Sequence, residues 1–306
     1  MNRAIQVAAA PLEHIYAQVL FGAIIWLTVI SLMQPGWAPA LLLFGPLVLF
    51  PMLFDIERNG AIALRSLALA GFLPAVASYA FEQGIYAGAL ALPWLAFTLV
   101  LLVHRLSANL RTKQYAWIVM KGYLMVGACW LVLARSGIRP LNFEHVIVHA
   151  TALHFHYAGF VLPILGMQLA QREPSRRRNV MLGGLLVGVP LVAVGITLSQ
   201  FGVRWIECMA AWILSGACIW FAVEQLRLAL AVRHALLRGL LLLSSLSLIA
   251  AMSLALLYAT GNYLQMDWLD IPFMLRWHGP IQVFGFALPG VVAWSLMKQN
   301  GIITTL

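Results

Sequence analysis

The chain has 306 residues, 62% of them hydrophobic and 9% charged, with a formal net charge of +9. Soluble domains average about 45–50% apolar and about 25% charged residues, so this composition excludes a soluble enzyme, a disordered tail and a secreted disulfide scaffold. The excess of Lys and Arg fits the cytoplasmic loops of a membrane protein, and neither a nucleic-acid-binding module nor a Gly-rich phosphate loop accompanies it.

Apolar runs of about 18 residues or more, long enough to cross a bilayer, follow one another along the sequence. They predict ten transmembrane helices, at about 15–33, 38–54, 61–81, 84–103, 115–134, 145–170, 180–200, 205–226, 238–260 and 273–297. The fold class is all-α, a polytopic membrane helix bundle forming a single integral-membrane domain over residues 1–306. The first run shows no cleavage site and reads as a retained span. Short connections join the spans, and no internal repeat signals an inverted-repeat transporter. With the N-terminus inside, fourteen of the 19 Lys and Arg residues fall on the inner side and Arg135, Arg139 and Arg204 on the outer side. This bias predicts an inner-membrane protein with both termini cytoplasmic. Arg65, Lys121 and Glu224 read as side chains that snorkel to the surface. Cys129, Cys208 and Cys218 form no CxxC pair and read as packing residues. Prolines at 46, 51, 74, 93, 163, 190, 280 and 289 fall inside spans. They predict bent helices, or more sharply a cavity lined by broken ones.

The sixth span is the most informative segment, because it holds His145, His149, His154 and His156. Ionisable residues are rare inside membranes and face a cavity or a partner. At about 100° per residue, His145, His149 and His156 share one stripe and His154 points to the opposite side. His145 and His149, at i, i+4 spacing, can share a metal ion. A third ligand would come from His278, in the string Arg276-Trp277-His278-Gly279-Pro280-Ile281-Gln282. Glu207 and Cys208 begin the eighth span at a similar depth, with Glu144, Asp267 and Asp270 nearby in loops. Plainer readings stand beside this one. His145 can sit at the interface, and His149 and His278 can be hydrogen-bonded core residues. His154 and His156 can bond to carbonyls freed by proline, or to Tyr and Gln side chains.

Two strings resemble a known family. Thr151-Ala152-Leu153-His154-Phe155-His156-Tyr157-Ala158-Gly159-Phe160 is similar to the signature of the YndJ-like membrane proteins, and the segment from Trp277 to Phe286 looks like their closing motif. Gln282-Val283 stands where that motif has Asn-Ala, which keeps the amide in kind and lengthens its reach by one methylene. The resemblance implies His154, His156, His278 and Gln282 as a functional core. It implies no settled reaction, although some members carry a transporter label.

The expected function is therefore an intramembrane histidine centre that binds a transition metal or haem for redox chemistry. Its ligands would be His149, His154, His156 and His278, supported by His145, Tyr157, Glu207, Gln282 and Arg276. The chain lacks the HxxHH boxes of membrane di-iron enzymes and the CxxCH of covalent haem attachment. The alternative is a small-substrate or proton-coupled transporter of YndJ-like type, in which imidazoles relay protons. An enzyme acting on a membrane lipid, with His as general acid–base, and a non-catalytic partner or sensor complete the field. The expected partners are the lipid bilayer and a small-molecule or lipid substrate, with no nucleic acid.

Overall fold

A computed structural model describes residues 2–56, 62–104, 106–112, 114–266 and 268–299, with only the backbone described for 2–14 and 62. Arg58, Arg105 and Lys113 of the orientation count, and Asp267, lie outside the described residues. Inside a bilayer every backbone N–H and C=O must find its partner within the chain, and the described residues meet this demand with helices and contain no strand. Among the described residues ten helices are long and apolar enough to span: Ile15–Met33, Trp37–Ile56, Ala63–Ala80, Ile85–Arg111, Tyr115–Ser136, His145–Arg172, Arg176–Ser199, Arg204–Ala231, Ala235–Leu264 and Ile271–Gln299. The number and order are those read from hydropathy. Their ends differ by a few residues, because local chemistry sets them. Ser175 accepts a hydrogen bond from the Arg178 N–H at the start of the seventh span, and the Asp270 carboxylate accepts one from Phe273 N–H before the tenth. Gly137, with φ of 71°, closes the fifth span in the left-handed conformation that glycine adopts without strain.

Several of the expected bends take a specific form, a widened π turn. Gly45–Leu49 contains Pro46, Tyr157–Val161 precedes Pro163, Met274–His278 precedes Pro280, and Ile281–Ala287 precedes Pro289. Proline removes one N–H and crowds the carbonyl four residues back. Moving to i→i+5 bonding lets the helix pass the obstruction without leaving the spanning direction.

The chain divides into two compact units, one running to His156 and the other starting at Tyr157. In the first, the core is the second span: Leu42, Leu43, Leu47, Leu49, Phe50 and Leu53 are fully buried. The first span meets it at Gly22, where an added Cβ would collide with the Leu47 carbonyl oxygen. The Trp26 indole N–H donates to Ala40 O at 2.7 Å. Arg65 and Lys121 are each 2% exposed, which corrects the expectation that they snorkel. Arg65 pairs with Asp55 at 3.8 Å, and the Lys121 ammonium lies 6.0 Å from the Trp117 ring centre.

In the second unit, the seventh, eighth and ninth spans pack successively at small residues. A Cβ on Gly195 would fall 2.6 Å from Glu207 Cα, and one on Gly188 would fall 3.0 Å from Leu214 Cα, so these backbones touch. The fully buried Gln225 ties the core together. Its amide N–H group donates to Ser244 Oγ at 2.9 Å and Ser245 Oγ at 3.2 Å, and its carbonyl accepts from Trp294 Nε1 at 3.1 Å. Glu224, also expected to snorkel, is instead held in ion pairs with Arg227 at 2.6 Å and Arg178 at 3.4 Å.

Candidate functional site

The sixth-span histidines share one local rule. Each of His149, His154 and His156 has Nδ1 next to the carbonyl oxygen four residues earlier, at 3.1, 2.8 and 2.8 Å respectively. A carbonyl only accepts, so Nδ1 carries the hydrogen and Nε2 is left as the acceptor. What meets Nε2 separates the three. His156 is fully buried, and its Nε2 accepts from the Trp94 indole N–H at 3.0 Å. The ring stacks near Phe50 and Trp94, with centroids 6.1 and 6.0 Å away. Both nitrogens are committed, so His156 is neutral and has no lone pair to offer a metal. His154 lies on the opposite face, as helix geometry expects, and is exposed. His145, at the helix start, is also exposed.

His149 is different. It is 7% exposed, and its Nε2 is buried without a hydrogen-bond partner. The Tyr79 ring lies 6.5 Å away between centroids, and the Tyr79 hydroxyl is a second buried atom without a partner. Over the Tyr79 ring sits the Arg135 guanidinium, 4.3 Å from the centroid. Arg135 is 5% exposed. It donates to Ser78 Oγ at 3.1 Å and to the carbonyls of Ser78 and Phe81 at 2.8 Å each. Among the described residues no carboxylate pairs with it. Arg135 and His145 both lie within electrostatic range of the His149 ring.

The remaining predicted residues lie in the second unit. His278 Nδ1 donates to Ala251 O at 2.9 Å. Tyr157 is buried, Gln282 half-buried and Arg276 exposed beside Trp277. Glu207 is 6% exposed, and its Oε2 accepts from Asn262 Nδ2 at 2.8 Å. The same amide group approaches Ser199 Oγ at 3.4 Å. Glu207 and Asp270 both act electrostatically on Tyr258. Among the described residues no cation forms an ion pair with Glu207. No group of three or more His, Cys, Asp or Glu among them is placed to hold a metal ion. The four-histidine stretch is thus a sequence cluster whose imidazoles meet four different surroundings.

A sequence profile of the YndJ-like protein family matches residues 40–286, which include both resembling strings and the buried Arg135, His149 and Glu207. The chain belongs to the YndJ-like family. The "Uncharacterized membrane protein YndJ" of Bacillus subtilis (strain 168) is 27% identical over 179 residues, which cover 57% of this chain and 31% of that protein. The chain thus spans less than a third of the length of the relative it matches. No solved structure matches it.

In this YndJ-like chain the sequence reading named His149 and Glu207 among its candidates and did not name Tyr79 or Arg135. Arg135 was placed on the outer side, just past the predicted fifth span, and it belongs to the last turn of that span. Its signal was present: it is one of three basic residues on the side where the charge rule does not place them. A residue that breaks a topology rule is a candidate for a fixed structural or binding role. Tyr79 gave no signal, because tyrosine is ordinary near membrane interfaces.

Proposed function

We propose that this YndJ-like chain is a carrier that couples the movement of a small polar solute to a proton taken up and released at Glu207. The observation that carries the reading is a carboxylate, 6% exposed, bonded to a neutral amide and facing no cation among the described residues. Burying an ion without a counter-charge costs several kcal/mol. The start of the eighth span favours a negative charge there by only about 0.3–1 kcal/mol. An intramembrane acid is a functional candidate by default, and a carboxyl group is the chemistry that proton coupling needs. The same reading takes both termini as cytoplasmic, which the uneven distribution of arginines between alternate loops supports.

The metal or haem reading has weaker support. A ligand set needs several free lone pairs at one centre; His156 offers none, and His149 belongs to no group of three or more such ligands among the described residues.

The test is uptake into proteoliposomes holding purified protein, across a panel of small acids, amino acids and sugars, with and without an imposed pH gradient. Gradient-driven accumulation is expected for the wild type. Glu207→Gln keeps the hydrogen bond from Asn262 but cannot exchange a proton, so it should lose accumulation and retain downhill exchange. Uptake that ignores the gradient, or a Glu207→Gln variant that accumulates normally, overturns the proposal.

A further inference from the structure

We infer that Tyr79, Arg135 and His149 form a binding site for an oxyanion that retains a hydroxyl, the chemistry of hydrogen phosphate or of a phosphomonoester. Three observations within the first unit converge on this. Arg135 brings a guanidinium, 5% exposed, whose bonded partners are a hydroxyl and two carbonyls. These oxygens orient the group and stabilise it as dipoles, but leave its formal charge unmatched. The Tyr79 hydroxyl, with the Arg135 cation over its ring, is a donor without a partner. His149 Nε2, in a side chain more than nine-tenths buried, is an acceptor without a partner, since Nδ1 holds the hydrogen against His145 O.

Buried polar groups are almost always paired, and an unpaired one costs about 1–3 kcal/mol. Two such atoms on neighbouring rings beside an unmatched cation describe a complementary ligand. It carries negative charge for Arg135, an acceptor oxygen for Tyr79 O–H, and an O–H to donate to His149 Nε2. A halide satisfies only the first two demands. Fully deprotonated sulfate fails the third, because it meets an imidazole lone pair with an oxygen lone pair. Hydrogen phosphate satisfies all three. The same chemistry reaches the protein either as a free solute or as the headgroup of phosphatidic acid.

The full chain in detergent micelles is titrated calorimetrically with inorganic phosphate and with sulfate at equal ionic strength. In parallel, nanodiscs of phosphatidylcholine with and without phosphatidic acid are compared for retained lipid by native mass spectrometry. Phosphate binding at least about tenfold tighter than sulfate is expected. Selective retention of phosphatidic acid without phosphate binding supports the same site with a lipid source. Tyr79→Phe should weaken phosphate and sulfate alike by about tenfold. His149→Phe keeps the ring volume and should remove the preference for phosphate over sulfate. Arg135→Gln should abolish binding, but it also loosens the turn at residues 78–81, so the first two variants carry the decision. Equal affinity for phosphate and sulfate, no binding of either phosphate or phosphatidic acid, or unchanged binding by Tyr79→Phe and His149→Phe overturns the inference.

Discussion

His149, His154 and His156 begin from the same local bond and end in three environments. The split of faces was legible in the sequence, since a helix of known pitch must send His154 away from the other two. The fate of each Nε2 was not, because its partner lies far along the chain. Trp94, 62 residues before His156, is the donor that turns a possible ligand into a core residue. No spacing rule within the sixth span contains that information. The pairing has a measurable consequence. Trp94→Phe keeps an aromatic ring but leaves a buried acceptor without a donor, which should cost about 1–3 kcal/mol. A clear fall in the melting temperature of the detergent-solubilised protein is expected, and an unchanged melt would show that the bond contributes nothing net. The same logic explains why Tyr79 was illegible. Its importance comes from a guanidinium on another span and an imidazole on a third, and neither is near it in sequence.

For the spans, hydropathy did nearly all the work. A lipid environment leaves the backbone only helix or a closed barrel, and apolar runs of about 20 residues suit the helix, so the ten runs became ten helices among the described residues. Prolines were legible as interruptions, but not as π turns, because whether a helix kinks or widens depends on the neighbours that close around it. Close helix contacts were also hidden, since glycine is common in spans whether or not it touches another backbone. Gly195 and Gly183 make the contrast. Any Cβ on Gly195 meets the Glu207 backbone at 2.6–3.0 Å, whereas one on Gly183 meets nothing within 4 Å. Gly195→Ala must push two spans apart and should destabilise by about 1–3 kcal/mol. Gly183→Ala should be neutral, or stabilising by up to about 1 kcal/mol through helix propensity. Unfolding of both variants in mixed micelles checks the pair, and equal stabilities would refute the contact.

At the scale of the whole molecule, composition decided the membrane class at once, and a count of arginines supplied an orientation. The count is testable independently of any activity. The loop with Ser175 follows the sixth span and the turn with Gly202 follows the seventh, so one helix separates them. In a cysteine-free background, Gly202→Cys should react with an impermeant maleimide on intact cells, and Ser175→Cys only after permeabilisation. The reverse pattern would invert the topology. Chemistry was less legible at this scale, because polar groups scarce enough to stand out in the sequence still need partners from distant spans to acquire a role. The π segment at Ile281–Ala287 adds a last consequence. Such a turn behaves as a one-residue insertion that the helix has absorbed. Deleting one residue there would restore an ordinary helix and leave its length almost intact. The downstream part would keep its orientation, whereas deleting a residue from the flanking α-helical turns would rotate it by about 100° relative to the upstream part, carrying the Trp294 indole away from the Gln225 carbonyl it now donates to. The tenth span therefore has a reading frame, and a deletion invisible to hydropathy would shift it.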